Sequence, residues 1–318
     1  MKTLNRILLM ALILLAYGCE DILEEDITDD FITLVSPSNK EQIISNVVNF
    51  QWQTLKGAKE YRIQVFSENQ AIILDSLVGA NRFTFQMVPG AFQWRVRGEN
   101  FAYTSSYSFT SSFSVIESDN LTNQQVILLS PNVNYYNATS IIFNWQSINV
   151  ADTYNFELVN VTNGQVVVHQ AEGLTTNSIS LNSTVLSDDA EYTWKVKALN
   201  SLPSATQFAS RNFYIDRINP NQPVNTFPSN NSSQNTAQTI TFTWSIPTDT
   251  GVIQSAIAYV IEFSNDANFS SVFQTSNAPT NSFQQIFQSS GDYYWRIKAI
   301  DKAGNTSNYS NPFKFTID

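Results

Sequence analysis

One seven-residue stretch occurs three times in this chain and limits what the chain can fold into. The copies are Phe92-Gln93-Trp94-Arg95-Val96-Arg97-Gly98, Tyr192-Thr193-Trp194-Lys195-Val196-Lys197-Ala198 and Tyr293-Tyr294-Trp295-Arg296-Ile297-Lys298-Ala299. Aromatic, apolar or small residues fall at every second position, with basic ones between them. That is the alternation of a strand with one face in a core and the other in water. Trp194 follows Trp94 by 100 residues and Trp295 follows Trp194 by 101, the length of one small domain. In 318 residues the repeat therefore selects three domains. A unit of about 90–100 residues buries only about 60–65% of its unfolded surface, which leaves little room for a large internal pocket.

Around each repeated strand lie further short runs with period two and no helical period. The first unit (33–116) has Leu34-Val35-Ser36-Pro37, where the proline marks an edge strand. Val48 to Trp52, Tyr61 to Val65, Ile72 to Leu74, Arg82 to Phe85 and Ser112 to Val115 follow, which with the Trp94 strand makes about seven strands. The second unit (126–216) copies the order through Leu129-Ser130-Pro131, Trp145, Tyr154 and Asn212 to Ile215. The third (225–318) does so through Phe227-Pro228, Trp244, Tyr259 and Lys314 to Ile317, and no tail with a further role is expected after Ile317. The linker 116–125 is polar and expected to be supple, whereas Pro220 and Pro223 should stiffen 217–224.

These positions resemble the fibronectin type III module, which carries a Pro near the first strand, a Trp on the second, a Tyr on the third and Tyr-x-hydrophobic-x-Val-x-Ala on the sixth. The second-strand Trp is Trp52, Trp145 and Trp244, and the third-strand Tyr is Tyr61, Tyr154 and Tyr259. Two tryptophans per unit use up all six. Asp301-Lys302-Ala303-Gly304-Asn305-Thr306-Ser307 resembles the loop after the sixth strand of many bacterial modules. The resemblance implies an all-β chain of three tandem fibronectin type III-like sandwiches. It also places Tyr192 and Tyr293 at the family's tyrosine corner, where Phe92 of the first unit lacks the hydroxyl. The second Trp on the sixth strand is less usual for the family and points to the wider immunoglobulin-like group.

Residues 1–18 read as an export signal: Lys2 and Arg6 precede an apolar run from Ile7 to Ala16, too short to span a bilayer as a helix. Leu15-Ala16-Tyr17-Gly18-Cys19 resembles a bacterial lipobox, with Tyr17 departing from its commonest form. The resemblance implies cleavage before Cys19 and acylation of that residue, hence a membrane partner. A plain signal peptide with an incidental free cysteine is the other reading. Cys19 is the only cysteine, so no intrachain disulfide can form. Glu20, Asp21, Glu24, Glu25, Asp26, Asp29 and Asp30 follow without a Lys or Arg, and their repulsion predicts an extended, disordered tether over 19–32. Such acids after the lipidated cysteine resemble the surface-export signals of Bacteroidetes lipoproteins. They imply an outer-membrane protein exposed at the cell surface.

The net charge of −10 argues against a nucleic-acid partner, which requires a concentrated basic face. His169 is the only histidine, which excludes a histidine-based triad and a multi-histidine zinc site. No Gly-rich phosphate loop appears. Asp188-Asp189 and Asp249 lie in loops, where turns favour Asp for backbone reasons. The chain is therefore read as not an enzyme, with no catalytic residue, metal or cofactor. The candidate binding residues are aromatics the core does not need: Phe101, Tyr103 and Tyr107 after the Trp94 strand, Tyr135 and Tyr136 in the loop after Pro131, and Tyr294, which points opposite to Trp295. Such rings stack on sugars or anchor a protein partner, or else simply cap the sandwich ends. Asp75-Ser76-Leu77 resembles a Bacteroidetes O-glycosylation motif. Spacer and adhesion or glycan-binding array is the first functional reading, with a reach on the order of 100 Å from the membrane. An accessory subunit of an outer-membrane uptake or secretion complex is the second.

Overall fold

The computed structural model describes residues 24–318 apart from 117 and 203, so the signal sequence, Cys19 and the start of the acidic segment lie outside the described residues. Within them, regular structure is strand except for one short 3-10 turn at Leu121–Asn123. The first sandwich comprises β1 (Leu34–Ser36), β2 (Glu41–Ile43), β3 (Val47–Trp52), β4 (Glu60–Ser67), β5 (Ile72–Val78), β6 (Arg82–Gln86), β7 (Gly90–Glu99) and β8 (Ser111–Val115). Its sheets are β1-β3-β6 and β2-β8-β7-β4-β5. The second repeats the plan with β9 (Leu128–Ser130), β10 (Tyr135–Tyr136), β11 (Ser140–Trp145), β12 (Thr153–Asn160), β13 (Val166–Leu174), β14 (Ser178–Asn182), β15 (Ala190–Leu199) and β16 (Ala209–Ile215). Its sheets are β14-β11-β9 and β10-β16-β15-β12-β13. The third has β17 (Asn225–Phe227), β18 (Ser232–Gln234), β19 (Thr239–Trp244), β20 (Ala258–Ser264), β21 (Val272–Ala278), β22 (Ser282–Ile286), β23 (Gly291–Ile300) and β24 (Phe313–Ile317), in sheets β17-β19-β22 and β18-β24-β23-β20-β21. Residues up to 125 form one compact unit holding one sandwich, and 126–318 form a second holding two.

The repeated stretch is the middle strand of each five-stranded sheet. In β15 every second residue, from Ala190 to Ala198, is buried, and the residues between are half-exposed. Each sandwich contributes one Trp from each sheet to its core, and all six indoles are at most 2% exposed. Trp52 meets Trp94 at 6.4 Å and Trp244 meets Trp295 at 6.5 Å, while Phe156 lies 6.4 Å from both Trp145 and Trp194. Sheets packed about 10 Å apart need side chains of this size to close the gap. Only Trp94 donates its indole N–H, to the Pro37 carbonyl at 3.2 Å; the other five find no acceptor. The rings are there for their volume.

The tyrosine corners are present. Tyr192 donates to the Asp188 carbonyl at 3.1 Å and Tyr293 to that of Ser289 at 3.0 Å. Phe92 fills the same place in the first sandwich by packing alone, against Phe113. The third-strand tyrosines brace a second loop: the Tyr61 and Tyr154 hydroxyls accept from the Leu55 and Ile148 amides. Tyr192→Phe should cost about 1 kcal/mol, the net worth of one such bond, in equilibrium urea unfolding. No measurable change would mean that the bond does not brace the corner.

Two expectations need correction. Residues 24–32 of the acidic segment are not a loose tether: they lie along the first sandwich. Ile27 is fully buried and Ile32 nearly so. Lys56 pairs with Glu25 at 2.8 Å, and Asn100 donates to the Glu25 carbonyl. Gly57 (φ +84°) lets this segment approach, because a Cβ there would stand 2.9 Å from that of Glu25. Burial of two isoleucines outweighs repulsion between exposed acids, which water screens. The linker after β8 is likewise fastened to the first sandwich. Asn46 donates to the Gln125 carbonyl and accepts from its amide, while the Gln124 side chain accepts from the Asn46 amide.

Candidate functional site

On the outer face of each five-stranded sheet, basic residues of the repeated strand and of its neighbours pair with acids. Glu99 receives Arg62 and Arg97 at 2.8 Å each, and Arg62 also reaches Asp75 at 3.0 Å. Burial pushes the Glu99 carboxyl up, but the two guanidinium bonds outweigh that and hold it below the usual carboxylate range. In the third sandwich Arg296 pairs with Glu262 at 2.7 Å and lies 3.9 Å above the Tyr309 ring. Burial, together with donation to Glu262, pushes the Tyr309 hydroxyl up to about 12. The second sandwich has the looser version, Lys195 at 3.9 Å from Glu157. These basic residues are spent on intramolecular partners.

The aromatic candidates separate into two groups. Tyr107 lies under Arg95 and Arg97, 4.1 and 5.0 Å from their guanidinium carbons, and belongs to that outer ladder. Tyr294 is a half-buried outer-face residue paired across strands with Lys314. Tyr135 and Tyr136, expected in a loop, form β10, which pairs in parallel with β16. The main chain there gains a sheet edge: the Tyr214 amide donates to the Asn134 carbonyl and the Asp216 amide to that of Tyr136. Tyr135 stacks on Tyr214 at 4.7 Å, and the Tyr136 hydroxyl accepts from the Asn132 amide.

Phe101 and Tyr103 are different, because they stand in the loop after β7 at 97% and 37% exposure. The structure adds two rings that sequence reasoning missed, Phe109 (87% exposed) and Phe31 (59%), stacked nearly parallel with centroids 6.1 Å apart. Residues 25–31 run beside residues 100–109: Asn100 bonds Glu25, Ser106 bonds the Thr28 carbonyl, and Phe31 meets Phe109. The four exposed rings therefore share one strip of the first sandwich. In sequence Phe109 alternates with Tyr107 and Phe113 as a core-facing strand residue would, and only its exposure sets it apart.

A second constellation lies in the unit 126–318. Asp216 follows β16 directly, Asp249 sits between β19 and β20, and Asp301 follows β23. All three are buried, and each offers a carboxylate oxygen within 4.8 Å of the others. Asn305 holds the arrangement, its Nδ2 donating to Asp301 Oδ2 at 2.8 Å and to the Asp216 carbonyl at 2.9 Å. Asp249 accepts from the Thr250 and Ser255 amides at 2.9 and 2.7 Å. Asp216 Oδ1 accepts from the Ile218 amide at 3.2 Å, while its Oδ2 is buried with no partner. Burial, reinforced by the charges of Asp301, Asp249 and Asp189, pushes the Asp216 carboxyl up to about 6. Asp249 also borders an open cleft of about 450 Å³ whose walls include Tyr135, Ile246, Ser255 and Tyr259. The segment 217–224 is pinned on both sides of this place. Arg217 binds Asp189 at 2.8 Å, Asn221 binds Thr248, and the Gln222 side chain donates to the Tyr309 carbonyl.

No protein-family model matches the chain, and no curated protein sequence does. Among solved structures it is similar to the FN1-FN3 domains of chicken CNTN1, at 16% identity and a TM-score of 0.39, over 90% of this chain and 97% of that one. Domains from titin match at 14% identity and a TM-score of 0.38, again over 90% and 97%. Fibronectin(III)-like modules of Clostridium thermocellum CbhA match at 12% and 0.23, over 58% of this chain and 94% of that one. The fold assignment rests on the sheets themselves: in each of the three sandwiches a three-stranded sheet is paired with a five-stranded one, in the same strand order.

Proposed function

We propose that the chain is a non-catalytic lipoprotein of the outer membrane, anchored through acylated Cys19 and exposed at the cell surface, whose three sandwiches act as spacer and glycan-binding or adhesive array. The observation that carries the binding role is the strip of Phe31, Phe101, Tyr103 and Phe109, four solvent-facing rings of which three are more exposed than any other aromatic among the described residues. Flat exposed rings stack on the apolar faces of sugars. Two or three acyl chains would hold such a protein firmly, since each buried CH₂ contributes about 0.8 kcal/mol.

Two experiments test this reading. Mass spectrometry of the mature N-terminus should find a lipid-modified Cys19; an unmodified N-terminus elsewhere removes the anchor. A glycan array probed with residues 24–318 should give binding that Phe101→Ala with Tyr103→Ala weakens at least about tenfold, as expected for central aromatic anchors. The second reading, an accessory subunit of an outer-membrane uptake or secretion complex, is favoured by the all-carbon Phe31–Phe109 pair. Silence on the array, with one stoichiometric membrane partner recovered by cross-linking, would select it.

A further inference from the structure

Three carboxylates in one buried cluster must share a proton or take a counter-charge. Like charges this close repel, and the more so away from water. Buried charges are accordingly paired with opposite ones or bound to metals. Among the described residues, none of Asp216, Asp249 and Asp301 forms an ion pair with a Lys or Arg. Hydrogen-bond donors orient Asp249 and Asp301 but supply no positive charge. The fully buried Asp216 Oδ2 has no donor at all and belongs to a carboxylate aimed into the cluster.

We propose that Asp216, Asp249 and Asp301 bind one calcium ion, which joins the end of β16 in the second sandwich to two loops of the third. The donors are all oxygen, the set that hard divalent cations take and that zinc and copper sites do not favour. Calcium accepts six to eight oxygens in flexible geometry, so three carboxylates complemented by water from the cleft beside Asp249 suit it better than magnesium, which demands a near-ideal octahedron. Oxygens that already accept an amide keep a lone pair for the metal. Asn305 is a positioning residue: it bonds the Asp301 carboxylate and the Asp216 main chain at once and so fixes two ligands across the joint.

The test uses residues 24–318, stripped with chelator, and calcium chloride as the probe. Isothermal titration calorimetry should find one calcium per chain, and saturating calcium should raise the thermal transition of the part that contains the second and third sandwiches. Asp216→Asn should lower calcium affinity by about 100-fold, at or beyond the 10- to 100-fold lost when only outer partners of a metal site are removed. It should fold without added calcium, because the substitution is isosteric and removes one of the repelling charges. Glu172→Gln, on an exposed strand position, should bind as the unaltered chain does. Absence of calcium uptake at millimolar concentration would overturn the assignment, as would an Asp216→Asn protein that binds calcium unchanged. Neither result bears on the aromatic strip, which lies in the other unit.

Discussion

Trp194→Ala should cost about 3–5 kcal/mol in urea unfolding, a large part of what a domain of this size has. The indole is fully buried, with Phe143 at 5.4 Å and Phe156 at 6.4 Å, and the residues around it sit on two sheets that cannot both collapse into the gap. The cost is all volume, since the Trp194 N–H has no acceptor to lose. Trp194→Phe should therefore recover more than half of it by refilling most of the cavity. A loss below about 1 kcal/mol for the alanine variant would show that Trp194 does not sit between the sheets.

Ile27→Ala should destabilise the first sandwich by about 2–5 kcal/mol, the usual cost of removing a buried isoleucine. A side chain in a disordered tether would cost nothing. Ile27 approaches the place where a Gly98 Cβ would stand, beside Leu55 and Ala58. It thereby closes the end of the sandwich from which the exposed rings project. Urea unfolding measures the cost, and limited proteolysis should cut 24–32 in the variant before it cuts the parent. Equal stability and equal cleavage would return the segment to the status of a tether.

Ile27 also shows why some of the molecule was legible in the sequence and some was not. Strands with four or more alternating positions and a central Trp were readable, because period two and ring volume both follow from a half-buried sheet. The short strands β2, β10 and β18 were not, being two or three residues long and lacking the proline that marked β1, β9 and β17. They exist because the last strand of each sandwich offers its main chain, as when Lys40 donates to the Ser112 carbonyl and Ile116 to that of Ile43. Tyr135 and Tyr136 were accordingly read as a loop. The acidic segment was judged by its charge, whereas its burial depends on single isoleucines between the acids and on Gly57 admitting them. The aspartate cluster needed the fold. Asp249 and Asp301 stood out as loop residues, but Asp216 joins them only when the end of β16 meets the third sandwich. The candidate rings illustrate the same limit: Tyr107 and Tyr135 looked like Phe101 in sequence, and only their arginine and tyrosine neighbours in space distinguish them.

The central claim is that all six indoles lie between paired sheets, two in each of three sandwiches. Iodide quenching of the intrinsic tryptophan fluorescence tests it most directly on the unaltered chain. The account predicts negligible quenching in the native protein and full quenching in urea, because iodide reaches only rings that contact water. Native quenching amounting to even one ring's share would contradict it.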